Sequence, residues 1–283
     1  MRRAAAAADS ERRNDDTIAL PHGRVYFCGD HATSPQFGTS HLIIHLINLD
    51  RSDDRLAEFQ RVNRQIASVT RFPAVDGHKL DIASLIANGT IEQAATANYS
   101  QGAIGAALSH GALWDKAIED GQPITVCEDD AIFHADYERL SEALIATIAP
   151  DWDFVLWGWN FDANLLIDLI PGVSPCLCSF NQEALVARAD DFRTQPIQPQ
   201  ALPLLRAFGI PCYSVSPRGA HLLKKTCLPI RPTEIFFQGM NRYIPNVGID
   251  VAMNEAYPNM KSYVAFPPLV ITKNERHRST IQA

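Results

Sequence analysis

The sequence predicts an α/β protein: a mostly parallel sheet flanked by helices, with a loop-rich insertion late in the chain. Three observations lead there. Short apolar, β-branched runs alternate with stretches of helical period. The links between them are brief, and the opening reads strand, helix, strand, the start of a parallel crossover unit. A chain of 283 residues that is 46% hydrophobic and 20% charged also has the apolar content to bury such a core.

Each element follows in order. Residues 41–48 (HLIIHLIN) have the signature of a buried strand. Ser52 is expected to cap a helix whose first turn carries Asp53 and Asp54, as the helix dipole favours. Leu56, Phe59, Val62 and Ile66 then recur at helical spacing. Residues 71–75 predict a second strand, stopped by Asp76-Gly77. In the polar, alanine-rich stretch 78–100, Asp81 caps a short helix that Gly89 ends. Residues 102–119 are helical again, with Gly121 as the stop. Gly105, Ser109 and Gly111 give that helix a small-residue flank, open to close approach by another backbone or a ligand. A third strand, 123–127, runs straight into Glu128-Asp129-Asp130. Helix 137–148 and strand 153–157 continue the alternation. Residues 161–210 are rich in proline and weak in period, hence the predicted insertion. A strand at 211–215, a helix opened by Ser216-Pro217, a short helix after Ile249-Asp250 and a strand at 263–266 complete the pattern.

Charge and cysteine usage exclude several classes. With 25 Lys+Arg against 32 Asp+Glu the chain is acidic, net −7, which argues against a dedicated nucleic-acid binder. No apolar run reaches the roughly 18 residues of a membrane-spanning helix. The six cysteines, at 28, 127, 176, 178, 212 and 227, match no zinc pattern and read as free thiols of a reducing, cytoplasmic compartment. Residues 1–40 read as an N-terminal extension, mobile at its start, ahead of a single domain at 41–283. The basic cluster at 273–278 is compatible with a solvated tail and with a peripheral contact on a membrane surface.

The acidic triplet is the most informative feature. Three consecutive acids after an apolar strand repel one another unless a positive charge shares them, and ligands in open α/β sheets bind beyond the carboxyl ends of strands. Residues 128 and 130 project to one side of an extended or turning backbone. Two hard oxygen donors there suit Mg²⁺ or Mn²⁺ bridging a diphosphate; a solvated loop or helix cap is the plain alternative. The chain has no Gly-x-x-x-x-Gly-Lys-Ser/Thr loop, no Gly-x-Gly-x-x-Gly and no Gly-x-Ser-x-Gly. Those absences weigh against P-loop NTPases, dinucleotide dehydrogenases and α/β-hydrolases.

Several motifs in series form a recognisable pattern. They are Ile47-Asn-Leu-Asp-Arg-Ser52 with Asp54-Arg55, Phe72-Pro-Ala-Val-Asp-Gly77, Gly102-x-x-Gly105-x-x-Leu-Ser-His110, Leu113-Trp114, the triplet 128–130 and Asp151-Trp-Asp153. The series resembles glycosyltransferase family 25, which includes bacterial lipooligosaccharide galactosyltransferases and relatives of collagen galactosyltransferases. The likeness runs over about 43–275, more weakly at Tyr213-x-x-Ser216-x-x-Gly219-Ala220 and Ile249-Asp250. It departs at Ala106, where the family often has cysteine, in the forty residues before the first motif, and over 160–210. The resemblance implies a GT-A-like, Rossmann-like fold, a UDP-sugar donor, a glycan or glycolipid acceptor and a divalent cation. The function expected is metal-dependent transfer of a hexose, galactose foremost, to a hydroxyl of a surface glycan. A catalytically silent nucleotide-sugar or glycan-binding protein is the alternative.

Roles follow from that expectation. Asp130 is the first choice of metal ligand, Glu128 its partner, and His277 a late ligand from the tail. Asp129 is placed on ribose or sugar hydroxyls. Asn48, Asp50, Arg51 and Arg55, in the loop after the first strand, are donor-binding candidates, with Asp76, Gly77, Ser109 and His110 beside them. Each has a structural alternative: an ion pair for Arg55, a simple turn for Asp76-Gly77, a satisfied buried histidine for His110. Asp250 is the expected base if transfer inverts configuration, or else the cap of the helix it precedes. Trp114 is expected in the core.

Overall fold

Alternating apolar runs and amphipathic stretches fold as layers in the computed structural model of the chain, which describes residues 43–274. The extension at 1–40, His277 and most of the basic tail lie outside the described residues. The N-terminal half runs β1 (Ile44–Asn48), α1 (Asp53–Val62), β2 (Val69–Pro73), α2 (Ile82–Ala87), α3 (Gln101–Asp120), β3 (Ile124–Glu128), β4 (Ala131–Phe133), α4 (Tyr137–Ile145) and β5 (Phe154–Gly158). Then come β6 (Leu165–Ile170), β7 (Ser174–Cys178), α5 (Gln182–Ala187), α6 (Ala189–Phe192), β8 (Gln200–Arg206), β9 (Cys212–Val215) and α7 (Pro217–Cys227). The last are β10 (Glu234–Phe237), β11 (Arg242–Pro245), α8 (Ile249–Met253), β12 (Ser262–Phe266) and β13 (Val270–Thr272).

Among the described residues nine strands form one sheet, in the order β2-β1-β3-β9-β5-β12-β8-β6-β7. β1 pairs in parallel with β2 and β3, and β5 with β12; the remaining neighbours are antiparallel. Six strands therefore run one way and β9, β8 and β7 run against them. This is the mixed α/β architecture of a GT-A-like, Rossmann-like fold. Residues alternate between two apolar layers: along β5, Phe154 and Leu156 enter the core under α3 and α7, while Val155 and Trp157 enter the core under α1 and α4.

The stretch 161–210 is more ordered than its prolines suggest. It retains long connections, but β6, β7 and β8 extend the sheet beyond β12. Its signal is masked because Leu169, Ile170 and Val173 are exposed, so apolar identity there does not report a buried face. Pro175 is tolerated because β7 is the sheet edge. Ser52 occupies the N-cap of α1, but its hydroxyl makes no capping bond; the turn is held by the Asn48 amide, which donates to the Ser52 carbonyl at 3.1 Å.

Placement of the site follows from parallel pairing. Asn48 and Glu128 end β1 and β3, which run side by side in one direction, so both reach the same edge of the sheet. α3 packs on one face of the sheet, and its Gly102, Ala106, Ser109 and His110 line a cavity at that end. Ser100 caps its start by accepting from Ala103 N, and Gly121, at φ +63°, ends it in the left-handed conformation that glycine adopts without strain. No helix among the described residues is long and apolar enough to cross a membrane, and the described cysteines are free thiols.

Candidate functional site

The three acids after β3 each meet a different partner. Asp129 is held by Arg55, whose Nε donates to Oδ1 at 2.8 Å and whose Nη2 also bonds Oδ1. Its Oδ2 accepts from the Asn48 amide at 2.8 Å. Burial opposes the charge on Arg55, but the Asp129 bond and the neighbouring acids outweigh it and raise the guanidinium pKa. Asp130 Oδ2 accepts from the Thr272 hydroxyl at 3.0 Å, while its Oδ1 is buried with no hydrogen-bond partner. Burial, then the charge of Glu128, pushes the Asp130 carboxyl up to about 7. Glu128, with 27% of its side chain exposed, faces His110, Oε1 to Nε2 at 3.6 Å.

Two adjoining cavities open here. The larger, about 310 Å³, is lined by Arg55, Glu128, Asp129, Asp130 and Asp250 among others. The smaller, about 70 Å³, is lined by Asn48, Arg51, Arg55, Gly77, Ser109, His110, Glu128 and Asp129. Arg55, Glu128 and Asp129 belong to both walls. Residues as far apart in sequence as Arg55 and Asp250 thus line one cavity.

Not every candidate reaches a cavity. Asp50 turns away: its largely exposed carboxylate pairs with Arg71 at 2.7 Å, and Arg71 also donates to Asn48 Oδ1 at 2.9 Å. Asp76 lies behind the wall, gripped by Arg51 at 3.2 and 3.3 Å, and accepts from His78 N at 3.2 Å. That double contact and the bond to His78 hold its carboxyl below the usual range despite desolvation, which acts the other way. Ser109 is fully buried, and its hydroxyl accepts from Val75 N and donates to the Gly105 carbonyl, both at 2.8 Å. It therefore clamps α3 to the 75–77 turn. Close approach explains Gly105 too: a Cβ there would lie 2.5 Å from the Val75 carbonyl oxygen and 2.7 Å from Gly77 N. Trp114 is in the core, fully buried.

The far wall was only partly foreseen. Asp250 lies in the first turn of α8, whose N-cap is Gly248, so the reading of Asp250 as the cap itself is corrected. Its Oδ2 accepts from Gly209 N at 2.9 Å, and burial raises its pKa above the ordinary carboxylate value. Asn254, one helical turn on, bonds Ala207 through both backbone groups, Oδ1 from N at 2.8 Å and Nδ2 to O at 2.7 Å. Together Asp250 and Asn254 fix segment 207–210 against the cavity. The i, i+4 spacing was a signal for Asn254. Thr272 had none: β13 meets β4 in antiparallel pairing, and that alone brings its hydroxyl to Asp130, 142 positions away in sequence.

The arrangement fits a hard divalent cation. Asp130 has an unpartnered buried oxygen and Glu128 a part-exposed carboxylate on the same cavity, whereas Asp129 already has Arg55. Among the described residues no three His, Cys, Asp or Glu side chains converge to form a complete cage. Two carboxylates with the remaining positions left to water and phosphate oxygens is how Mg²⁺ is usually held.

Comparison with known proteins bears on this geometry. Residues 41–171 match the family described as "Glycosyltransferase family 25 (LPS biosynthesis protein)", a span that contains β1, α3, β3 and the acidic triplet. A protein of Aedes aegypti named "Glycosyltransferase 25 family member" is 30% identical over 168 residues, covering 50% of this chain. The match spans 27% of that protein's length.

Proposed function

We propose that the chain is a glycosyltransferase of family 25, whose model matches residues 41–171, and that it transfers a hexose, galactose foremost, from a UDP-sugar to a hydroxyl of a surface glycan such as lipooligosaccharide. Mn²⁺ or Mg²⁺ is the cofactor in this reading. A cytoplasmic location, with contact to the inner membrane face, belongs to the same proposal. The observation that supports it is the pair of acids Glu128 and Asp130 on the wall of the larger cavity, with one Asp130 oxygen, Oδ1, buried and left without a hydrogen-bond partner.

In the reaction, the bond between the anomeric carbon and the diphosphate oxygen breaks, and a bond from the acceptor oxygen to that carbon forms. Asp130 and Glu128 would hold the cation, which supplies charge neutralisation for the departing diphosphate. Arg55, kept at the junction of the cavities by Asp129, adds a fixed positive charge on the same side. Asn48 and Arg51 line the smaller cavity and are assigned to the nucleoside; Gly77 and Ser109 frame it. Asp250 takes the acceptor proton if configuration inverts, and its raised pKa makes it a stronger base than an exposed carboxylate. His277 remains a proposed late ligand from the tail.

The test is UDP release from a panel of UDP-sugars with and without Mn²⁺. Loss of one metal ligand removes several kcal/mol of transition-state stabilisation, so Asp130→Ala is expected to lower turnover about a hundredfold or more. Its melting temperature should stay level or rise, since an unpaired buried acid is removed. An Asp130→Ala enzyme with full, still metal-dependent turnover would overturn the assignment. UDP binding without turnover on any donor would favour the silent binding protein.

A further inference from the structure

The buried histidine beside the site has a wiring that goes beyond lining a cavity. His110 is 1% exposed and stacks on Tyr213, with ring centroids 5.7 Å apart and planes at 27°. Its Nδ1 lies 2.9 Å from the Tyr213 hydroxyl, and the same hydroxyl lies 2.9 Å from Trp114 Nε1. An indole nitrogen only donates, so the tyrosine oxygen accepts from Trp114. Tyr213 is fully buried, and burial pushes its ionisation far up, so the hydroxyl keeps its proton. The acceptor within reach for that proton is His110 Nδ1. The reverse orientation, Nδ1–H toward the tyrosine, would leave a buried hydroxyl hydrogen without an acceptor. The ring proton is therefore on Nε2, and Nε2 faces Glu128.

We propose that His110 is a positioning residue, locked by Tyr213 and Trp114 as the Nε2–H tautomer, that aims the Glu128 carboxylate into the cavity. The ring is 1% exposed and stacked on Tyr213, whereas Glu128 is part-exposed, so the carboxylate is the freer partner across the 3.6 Å between them. Each acid of the triplet then has its own anchor: a guanidinium for Asp129, a hydroxyl for Asp130, an imidazole for Glu128. A ring N–H held from behind orients Glu128 toward the cavity. The Glu128 charge is what a bound cation shares. This last step rests on the proposed metal role of Glu128; the tautomer does not.

The test uses the full chain labelled with ¹⁵N-histidine. Ring-nitrogen shifts of His110 in the metal-free protein should report a protonated Nε2 and an unprotonated Nδ1. Tyr213→Phe should mix the tautomers, and Glu128→Gln should move the Nε2–H resonance while leaving the fold, read by circular dichroism, unchanged. A protonated Nδ1 in the wild type, or an Nε2–H resonance indifferent to Glu128→Gln, overturns the proposal. Binding of Mn²⁺ with UDP gives the second arm. Outer-shell partners of metal ligands are worth about tenfold or more in affinity, so His110→Ala should lose that much. His110→Gln, whose amide nitrogen replaces Nε2, should restore most of it, and His110→Asn, which replaces Nδ1, should not. Equal loss in Gln and Asn variants that fold normally counts against the aim of Nε2. A wild type that binds no Mn²⁺ with UDP would sink the metal role of Glu128, and the nitrogen shifts would still decide the tautomer.

Discussion

Arg55 and Asp129 show how a single pair sets the character of the site. Both side chains are mostly buried, and their contact turns one of three adjacent acids from a repulsive neighbour into an anchor. Removing either partner leaves a charge with poor hydration, so the two single changes should not add. A double-mutant cycle with Arg55→Ala and Asp129→Ala, read by urea unfolding, should give a coupling of about 1–3 kcal/mol. A coupling near zero would mean the pair is solvated. Asp250 makes a separate prediction. Burial raises its pKa in the folded protein, so the native state holds its proton more tightly than the unfolded chain does. That contribution to stability is complete below the unfolded pKa and is lost as pH rises through the folded value. Urea midpoints of the wild type, compared with Asp250→Asn, should therefore fall relative to the variant as pH rises from about 4.

At the scale of elements, the seating of α3 matters most. Its small flank lets the 75–77 turn lie against its backbone, with Ser109 bonding across the contact. Alanine is the better helix former, yet the missing space at Gly105 decides the sign. Gly105→Ala should cost about 1–3 kcal/mol and lower the melting temperature, with weakened UDP binding because the smaller cavity is built on this contact. Caps and spacing made α3 legible beforehand, as they did α7, where Ser216 accepts from Gly219 N and Pro217 opens the helix. Strands β4 and β13 were not legible, being three residues each and meaningful only as a pair. β6 to β8 escaped for another reason: their exposed apolar residues and prolines break the alternation by which a half-buried strand announces itself.

Among the described residues, two apolar layers enclose the nine-stranded sheet, and its central strands β3, β9 and β5 are covered on both faces. Amide hydrogen exchange should accordingly be slowest in those strands and fastest in β7, the exposed edge. Uniform exchange across the sheet would contradict this layering.

The sequence by itself determined the alternation of strands and helices, the caps at Asp81, Gly121 and Ser216, and the acidic run at a strand end, because those depend on neighbours within a few positions. The likeness to a transferase family was legible for the same reason, being a series of local motifs. Only the tertiary structure decided the different fates of the three acids. It brought Arg55 to Asp129 and Thr272 to Asp130, and it set the Trp114–Tyr213–His110 chain behind Glu128. Hydrogen-bond partners in a buried site come from strand order and helix docking, and neither has a period that can be read along the chain.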